Sequence, residues 1–311
     1  MNLRGLFHLL TVYIVWGSTY LAIRVAVREG AGFPPFYMAS MRVLAAGVIL
    51  WIWARLLRAR VRPTRAEWGK LAASAVLLWV GGNGLVVWSE QRVESVYAAL
   101  MVGALPLWGA VIEAILDRRA PSPGLIVSLL VGFAGIAVIS YPELQVAKGP
   151  DLLSSIALII APISWGLGSI LQQRRPVQLT PEASSSYQQL LAAVLFLILA
   201  LGLGEPTPRP NAGEWAAWGY LVVFGSVIAF TSFVKALRLL PARIVMTYAY
   251  VNPVVAAFLG WLILHESITY HTLAGTVLVI AGVVGVLARK TARSPQAAAP
   301  TLRGAKPASR Y

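Results

Sequence analysis

The sequence predicts an all-α integral membrane protein with ten transmembrane helices, arranged as two inverted-topology five-helix repeats. Three observations carry that prediction. The first is composition: of 311 residues, 58% are hydrophobic and 12% charged, with a mean hydropathy of +0.71, whereas a soluble domain carries roughly 25% charged residues. The second is a set of ten apolar segments, each long enough for a hydrocarbon core about 30 Å thick, which takes roughly 20 helical residues. The third is a constant sequence offset between the two halves. Five spans per half is an odd number, so the second copy starts on the opposite side of the membrane.

The first segment, Leu6 to Val27, follows the short basic lead Met1 to Arg4. Its apolar run is too long for a signal peptide and no small-residue cleavage pattern follows, so it reads as an uncleaved span. Phe36 to Leu57 begins after the breaker run Gly32-Phe33-Pro34-Pro35, and the basic loop from Arg55 to Arg65 separates it from Trp68 to Trp88. Val96 to Leu116 and Gly124 to Tyr141 are divided by Pro121-Ser122-Pro123. Gly149-Pro150 precedes Leu152 to Gln172, and Ser184 to Leu203 ends at Gly204-Glu205-Pro206. Trp215 to Ala236, Ile244 to Leu264 and Thr272 to Leu287 complete the ten. The expected domains are a first repeat over 6–142, a second over 151–288, and a tail over 291–311. That tail is rich in Ala, Pro and Ser and carries Arg293, Arg303, Lys306 and Arg310. A segment of this kind is expected to be disordered and to favour anionic membrane lipid.

Charge sets the orientation. With the N-terminus cytoplasmic, the inner loops hold Arg4, the cations from Arg55 to Lys70, Arg118, Arg119, Arg174, Arg175, Lys235, Arg238, Arg243 and those from Arg289 onward. The outer loops hold only Arg28, Arg92, Lys148 and Arg209, so both termini are expected in the cytoplasm. The net charge of +14 therefore reads as topology rather than as a nucleic-acid surface. With no Cys and three separated His (His8, His265, His271), no disulfide framework or Cys/His metal site is available, and no cofactor is expected.

At an offset of 147, Leu44 matches Leu191, Ala45-Ala46 matches Ala192-Ala193, Glu67-Trp68 matches Glu214-Trp215, Pro106 matches Pro253, Ala110 matches Ala257 and Gly135 matches Gly282. Trp16-Gly17 matches Trp165-Gly166 at 149. Constant register is the mark of a repeat. The loop bias inverts as well: the basic run after the second span corresponds to Leu203 through Asn211, with one Arg. The weakly charged loop before Phe36 corresponds to the basic Gln172-Gln173-Arg174-Arg175.

Trp16-Gly17-Ser18-Thr19-Tyr20-Leu21-Ala22-Ile23-Arg24, Met41-Arg42-Val43-Leu44-Ala45-Ala46, Ala104-Leu105-Pro106, and Asn252-Pro253 with Gly275 and Ala281-Gly282-Val283 resemble the drug/metabolite transporter superfamily, specifically its ten-helix members with two EamA domains. The resemblance covers about residues 6–288. It implies an inner-membrane carrier that exports amino acids or related metabolites. The chain departs from the family pattern where a Gly-Glu commonly follows the fourth and ninth spans: here stand Asp117-Arg118-Arg119 and His265-Glu266.

Polar groups at bilayer depth face the bundle interior or a water-filled cavity. Counting to mid-span selects Trp16, Thr19, Asn83, Met101, Ser164, Trp165, Tyr248 and Asn252 as candidate substrate-binding residues, with Ser18, Trp79, Trp108, Ser226 and Thr231 at similar depth. Pro106 and Pro253 are the candidate hinges, since a proline frees a carbonyl and bends the rod. Aromatic faces, amides and hydroxyls with few fixed charges suit amino acids and amphipathic metabolites as small-molecule substrates. Each choice has a plainer reading. A lone Trp or Tyr in a span is more often packing or an interface anchor, and Asn83 among Gly81, Gly82 and Gly84 could bridge close-packed helices. Arg42 is expected to snorkel outward or to pair with Glu90 or Glu94, a structural role shared with Arg24. Glu113 lies at the depth of Lys235, where an ion pair or a coupling site would fit. A passive channel is the alternative function. A membrane enzyme on lipid-linked substrates is another, but no converging carboxylates, nucleophile with its base, or metal ligands are present at membrane depth.

Overall fold

The computed structural model describes residues 2–27, 30, 32–93, 95–146, 152–264 and 268–288. The tail over 291–311, the His265-Glu266 pair, Arg28, Glu94 and Lys148 lie outside the described residues. Among the described residues ten helices are long and apolar enough to cross a membrane: α1 (Leu3–Val27), α2 (Pro35–Leu56), α3 (Arg65–Ser89), α4 (Tyr97–Asp117), α5 (Pro123–Pro142), α6 (Leu152–Arg174), α7 (Pro181–Gly202), α8 (Ala212–Leu239), α9 (Ala242–Leu259) and α10 (Tyr270–Ala288). Each falls on a segment expected from hydropathy, with breaker runs between them. No strand occurs among the described residues.

The side-chain distribution is that of a protein in lipid. On α7, Ser184, Ser185, Ser186, Gln188 and Gln189 are buried while Val194, Leu197, Ile198 and Leu201 face outward. The buried polar groups serve as links between helices, because no water is at hand to satisfy them. Ser186 Oγ donates to Gly47 O at 2.7 Å, Ser40 Oγ to Ala193 O at 2.8 Å, and Gln189 Nε2 to Ser226 O at 3.1 Å.

Helix packing obeys an exchange rule between the halves. The two most extensive interfaces, α2 with α7 and α5 with α10, each join a helix to its own counterpart. Among the rest the larger interfaces are mirrored as well: α1 packs on α8 and α9 as α6 packs on α3 and α4. The α5/α10 seam depends on glycine. A Cβ on Gly282 would lie 2.5 Å from Gly132 Cα, and one on Gly275 2.5 Å from Gly135 O, so only bare backbone permits this approach.

Local devices recur at twin positions. α3 and α8 each begin with a capping box, Thr64 with Glu67 and Asn211 with Glu214, in which the side chains and backbone N–H groups of both residues bond reciprocally. Both helices then widen into π geometry, over Ala75–Gly84 and Leu221–Ala229. A π stretch turns carbonyls away from the regular ladder, and neighbours use them: Ser164 Oγ donates to Leu77 O at 2.8 Å, and Trp16 Nε1 to Gly225 O at 3.1 Å.

α4 and α9 are both interrupted. The helical run that holds α4 starts just ahead of the apolar span and breaks into Ser95–Val102 and Leu105–Asp117, and Pro106 occupies the first turn of the second piece, where its missing N–H costs no bond. α9 breaks between Ala242–Val245 and a second piece, Tyr248–Leu264, that continues past the apolar span, so the interruption falls at Met246-Thr247 and Pro253 lies inside the second piece. The cause is local: Thr247 Oγ1 donates to Ile244 O at 2.6 Å and meets Tyr13 Oη at 2.6 Å, which offers the backbone an alternative to the helical ladder.

Candidate functional site

A cavity of ≈ 80 Å³ lies where the two halves meet. α1 contributes Trp16, Thr19 and Ile23, α2 Arg42, and α3 Trp79, Gly82, Asn83 and Val86. α4 adds Val102 and Leu105, α6 Ala161, Pro162 and Trp165, and α9 Tyr248 and Asn252. Trp16, Thr19, Asn83, Trp165, Tyr248 and Asn252 are thus brought together as the sequence suggested. Met101 and Ser164 stand apart. Met101 packs with Val86, Val93, Ala98, Leu158 and Ala161, and the Ser164 hydroxyl is engaged by α3. Neither hinge proline lines the cavity, although each neighbours a residue that does, Leu105 and Asn252.

The aromatic wall is held from behind. The Trp16 ring lies 5.5 Å from Trp165 and 4.8 Å from Tyr248, both edge to face, and Phe233 of α8 stands 5.2 Å and 5.5 Å behind the two tryptophans. Trp79 rests on Phe230 at 4.7 Å. Edge-to-face pairs orient rings as well as bury them, so these indoles are positioned before any solute arrives.

Arg42 corrects an expectation. It does not snorkel outward: it is 3% exposed and turned into the cavity. Its Nε donates to Ser226 Oγ at 2.8 Å, and its guanidinium carbon stands 5.9 Å from the Trp79 ring centroid. Gly225 makes the room, since a Cβ there would come within 3.0 Å of Arg42 Nη2. Arg42 Nη1 is buried without a hydrogen-bond partner, and among the described residues no carboxylate pairs with it. Glu90, offered as its partner, instead faces Arg24 electrostatically. The other anticipated pair is also different. Lys235 binds Glu182 at 2.7 Å, whereas Glu113 has Arg243 and Arg174 as its charged neighbours.

Several further polar atoms on the cavity-lining residues lack partners: the Trp79 and Trp165 indole Nε1 donors and the Asn83 and Asn252 Oδ1 acceptors. Leaving a buried donor or acceptor unmet costs about 1–3 kcal/mol, and more for a charged group. Together with Arg42 Nη1 they give the cavity both donors and acceptors that a polar solute could meet.

A space of about 80 Å³ admits only a few waters. A pocket of ≈ 300 Å³ opens at the start of α3, lined by Lys70, Arg175, Arg238 and Gln188. Another of ≈ 420 Å³ opens at the far end of α3, lined by Trp88, Arg92 and Glu205. There the Glu205 carboxylate accepts from the Phe36 and Tyr37 N–H groups at 3.0 and 2.9 Å, seating the α7–α8 loop on the N-terminus of α2. Burial pushes this carboxyl above the usual range.

Comparison with known proteins points the same way. Residues 3–141 and 152–288 each match the EamA-like transporter family. The inner membrane transporter YedA of Escherichia coli K12 is 33% identical over 258 residues, covering 81% of this chain and 80% of YedA. An S-adenosylmethionine/S-adenosylhomocysteine transporter of Chlamydia trachomatis serovar L2 is 25% identical over 269 residues, or 81% of this chain and 80% of that protein. A crystal structure shares the fold with a TM-score of 0.75 at 19% identity, over 92% of this chain and 96% of that one.

Proposed function

This chain belongs to the EamA-like transporter family, and from that premise we propose that it exports amino acids or related small metabolites across the inner membrane by alternating access around the central cavity. The observation that carries the proposal is the exchange rule in helix packing. The cavity lies on the seam between two halves whose contacts mirror each other, so rocking one half against the other would open it to either side in turn. The pockets at the two ends of α3 are the vestibules such a motion would join to it.

The proposed units are the repeats over 6–142 and 151–288, inverted with respect to each other, with both termini cytoplasmic. The gathering of Lys70, Arg175 and Arg238 around one vestibule supports that orientation. The α4 interruption beside Pro106 and the α9 interruption ahead of Pro253 supply the bends. Indole and phenol faces with unmet amide acceptors suit an amphipathic zwitterion. The cargo named for the chlamydial relative, S-adenosylmethionine, itself contains an α-amino-acid group.

Trp165→Ala removes an edge-to-face partner of Trp16 and one wall of the cavity. In reconstituted vesicles it is expected to reduce amino-acid uptake at least about tenfold, or ~1.4 kcal/mol, while the purified protein stays monodisperse. Pro253→Ala serves as the companion variant for the hinge. Unchanged uptake in both would remove the basis for the site.

A further inference from the structure

The cavity has a charge that the cargo must answer. Among the described residues Arg42 is the one charged side chain that lines it, and no carboxylate there pairs with it. Elsewhere in the described residues three cations do meet carboxylates: Arg60 with Glu67, Arg174 with Asp117 and Lys235 with Glu182, all near helix ends. A guanidinium required only for packing would be cheaper with such a partner, because an isolated buried charge is strongly disfavoured.

We infer that Arg42 is the carboxylate-binding group of the cavity, and that the solute lies with its carboxylate toward α2 and α8 and its ammonium toward Asn83 and Asn252. The inference rests on the transporter reading above and names the chemistry of its cargo.

The geometry supplies each part. The bond from Nε to Ser226 Oγ fixes the plane of the guanidinium, and Nη1 is left unspent. A planar fork held in this way matches the two oxygens of a carboxylate. The Trp79 indole, whose ring stands 5.9 Å from the same guanidinium, offers a second unmet N–H donor. The unmet acceptors are Asn83 Oδ1 and Asn252 Oδ1, which complement ammonium N–H groups. One guanidinium balances one negative charge. A phosphate dianion would bring a second charge into a cavity with no second cation, which makes a monocarboxylate the fitting anion.

The test uses the full chain in detergent and in vesicles, with leucine, phenylalanine and methionine each compared with its own carboxamide. For at least one pair, the acid is expected to raise the unfolding midpoint at a concentration at least tenfold below that of the amide. Arg42→Gln should abolish that preference, and Arg42→Lys, which keeps the charge but loses the fork, should retain part of it. Should Arg42→Gln fail to fold, Ser226→Ala releases the guanidinium and is expected to narrow the same preference. The inference is overturned if no acid shifts the wild-type protein, if acids and amides act alike, or if Arg42→Gln keeps the preference. Counterflow on the same pairs separates the two readings. Selective binding without accelerated exchange would sink the transport reading and leave the anion site, while equal exchange of acids and amides would do the reverse.

Discussion

Gly17 and Gly166 follow the twin tryptophans Trp16 and Trp165, yet their surroundings predict opposite responses to a single methyl group. At Gly17 a Cβ would stand 2.6 Å from Val255 Cβ, 2.7 Å from Val255 Cγ1 and 3.2 Å from Asn252 O. Carbon pairs settle at about 3.5–4.0 Å, so α1 and α9 would have to separate by roughly 1 Å. Overpacking of that kind costs about 1–3 kcal/mol, and the better helix propensity of Ala returns about 1 kcal/mol. At Gly166 the nearest atoms are the side-chain tips of Ile112 and Leu105, both at 3.4 Å, and the next is at 3.9 Å. Only the gain remains there, about 0.4–1 kcal/mol. Gly166→Ala should therefore unfold at or above the wild-type midpoint, and Gly17→Ala below it, with about 1–3 kcal/mol between the twins. Thermal unfolding of the purified variants in detergent, followed by circular dichroism, reads the order directly. Finding Gly17→Ala as stable as Gly166→Ala would refute the close α1/α9 approach that walls the cavity.

Gly82→Ala places a Cβ 2.7 Å from Trp165 Cε3, so the indole must shift within an already small cavity. Amino-acid exchange is expected to fall about tenfold, equivalent to ~1.4 kcal/mol. Partial recovery in the double variant with Trp165→Phe would locate the effect at that ring. Glu205 gives a pH-dependent outcome. Burial raises its pKa in the folded protein, so between its ordinary and raised values the folded state binds the proton more readily than the unfolded chain. Its contribution to stability is therefore largest at low pH and declines as pH rises through the raised value. Glu205→Gln should flatten that part of the melting profile; an unaltered profile would remove Glu205 from the account.

Depth was legible in the sequence and direction was not. Counting along an apolar run places a residue within the bilayer to about one turn, which is why the spans, the twin glycines and six of the mid-depth polar residues fell where expected. A helix turns about 100° per residue, however, and the facing partner is set by packing that a single chain does not spell out. Met101 and Ser164 have the right depth and face neighbouring helices. Arg42 shows the converse case. Its position in the outer third of α2 suggested snorkelling, and only the space left by Gly225 and the bond it donates to Ser226 turn it inward. An arginine within an apolar span was the available clue, and the expected pairing with Glu90 or Glu94 obscured it; Glu90 faces Arg24 instead. Lys235 and Glu113 matched in depth, but Glu182 at the start of α7 proved the nearer acid. The α9 break escaped notice because Thr247, rather than Pro253, rearranges the backbone.

Counterflow tests the central claim most directly. Vesicles holding the purified protein are preloaded with an unlabelled amino acid, and uptake of the labelled form is followed from outside. Alternating access predicts saturable uptake that is faster with internal solute than without, and loss of that acceleration in Trp165→Ala. A flux that rises linearly with concentration and ignores the internal solute would mark a passive channel and contradict the account.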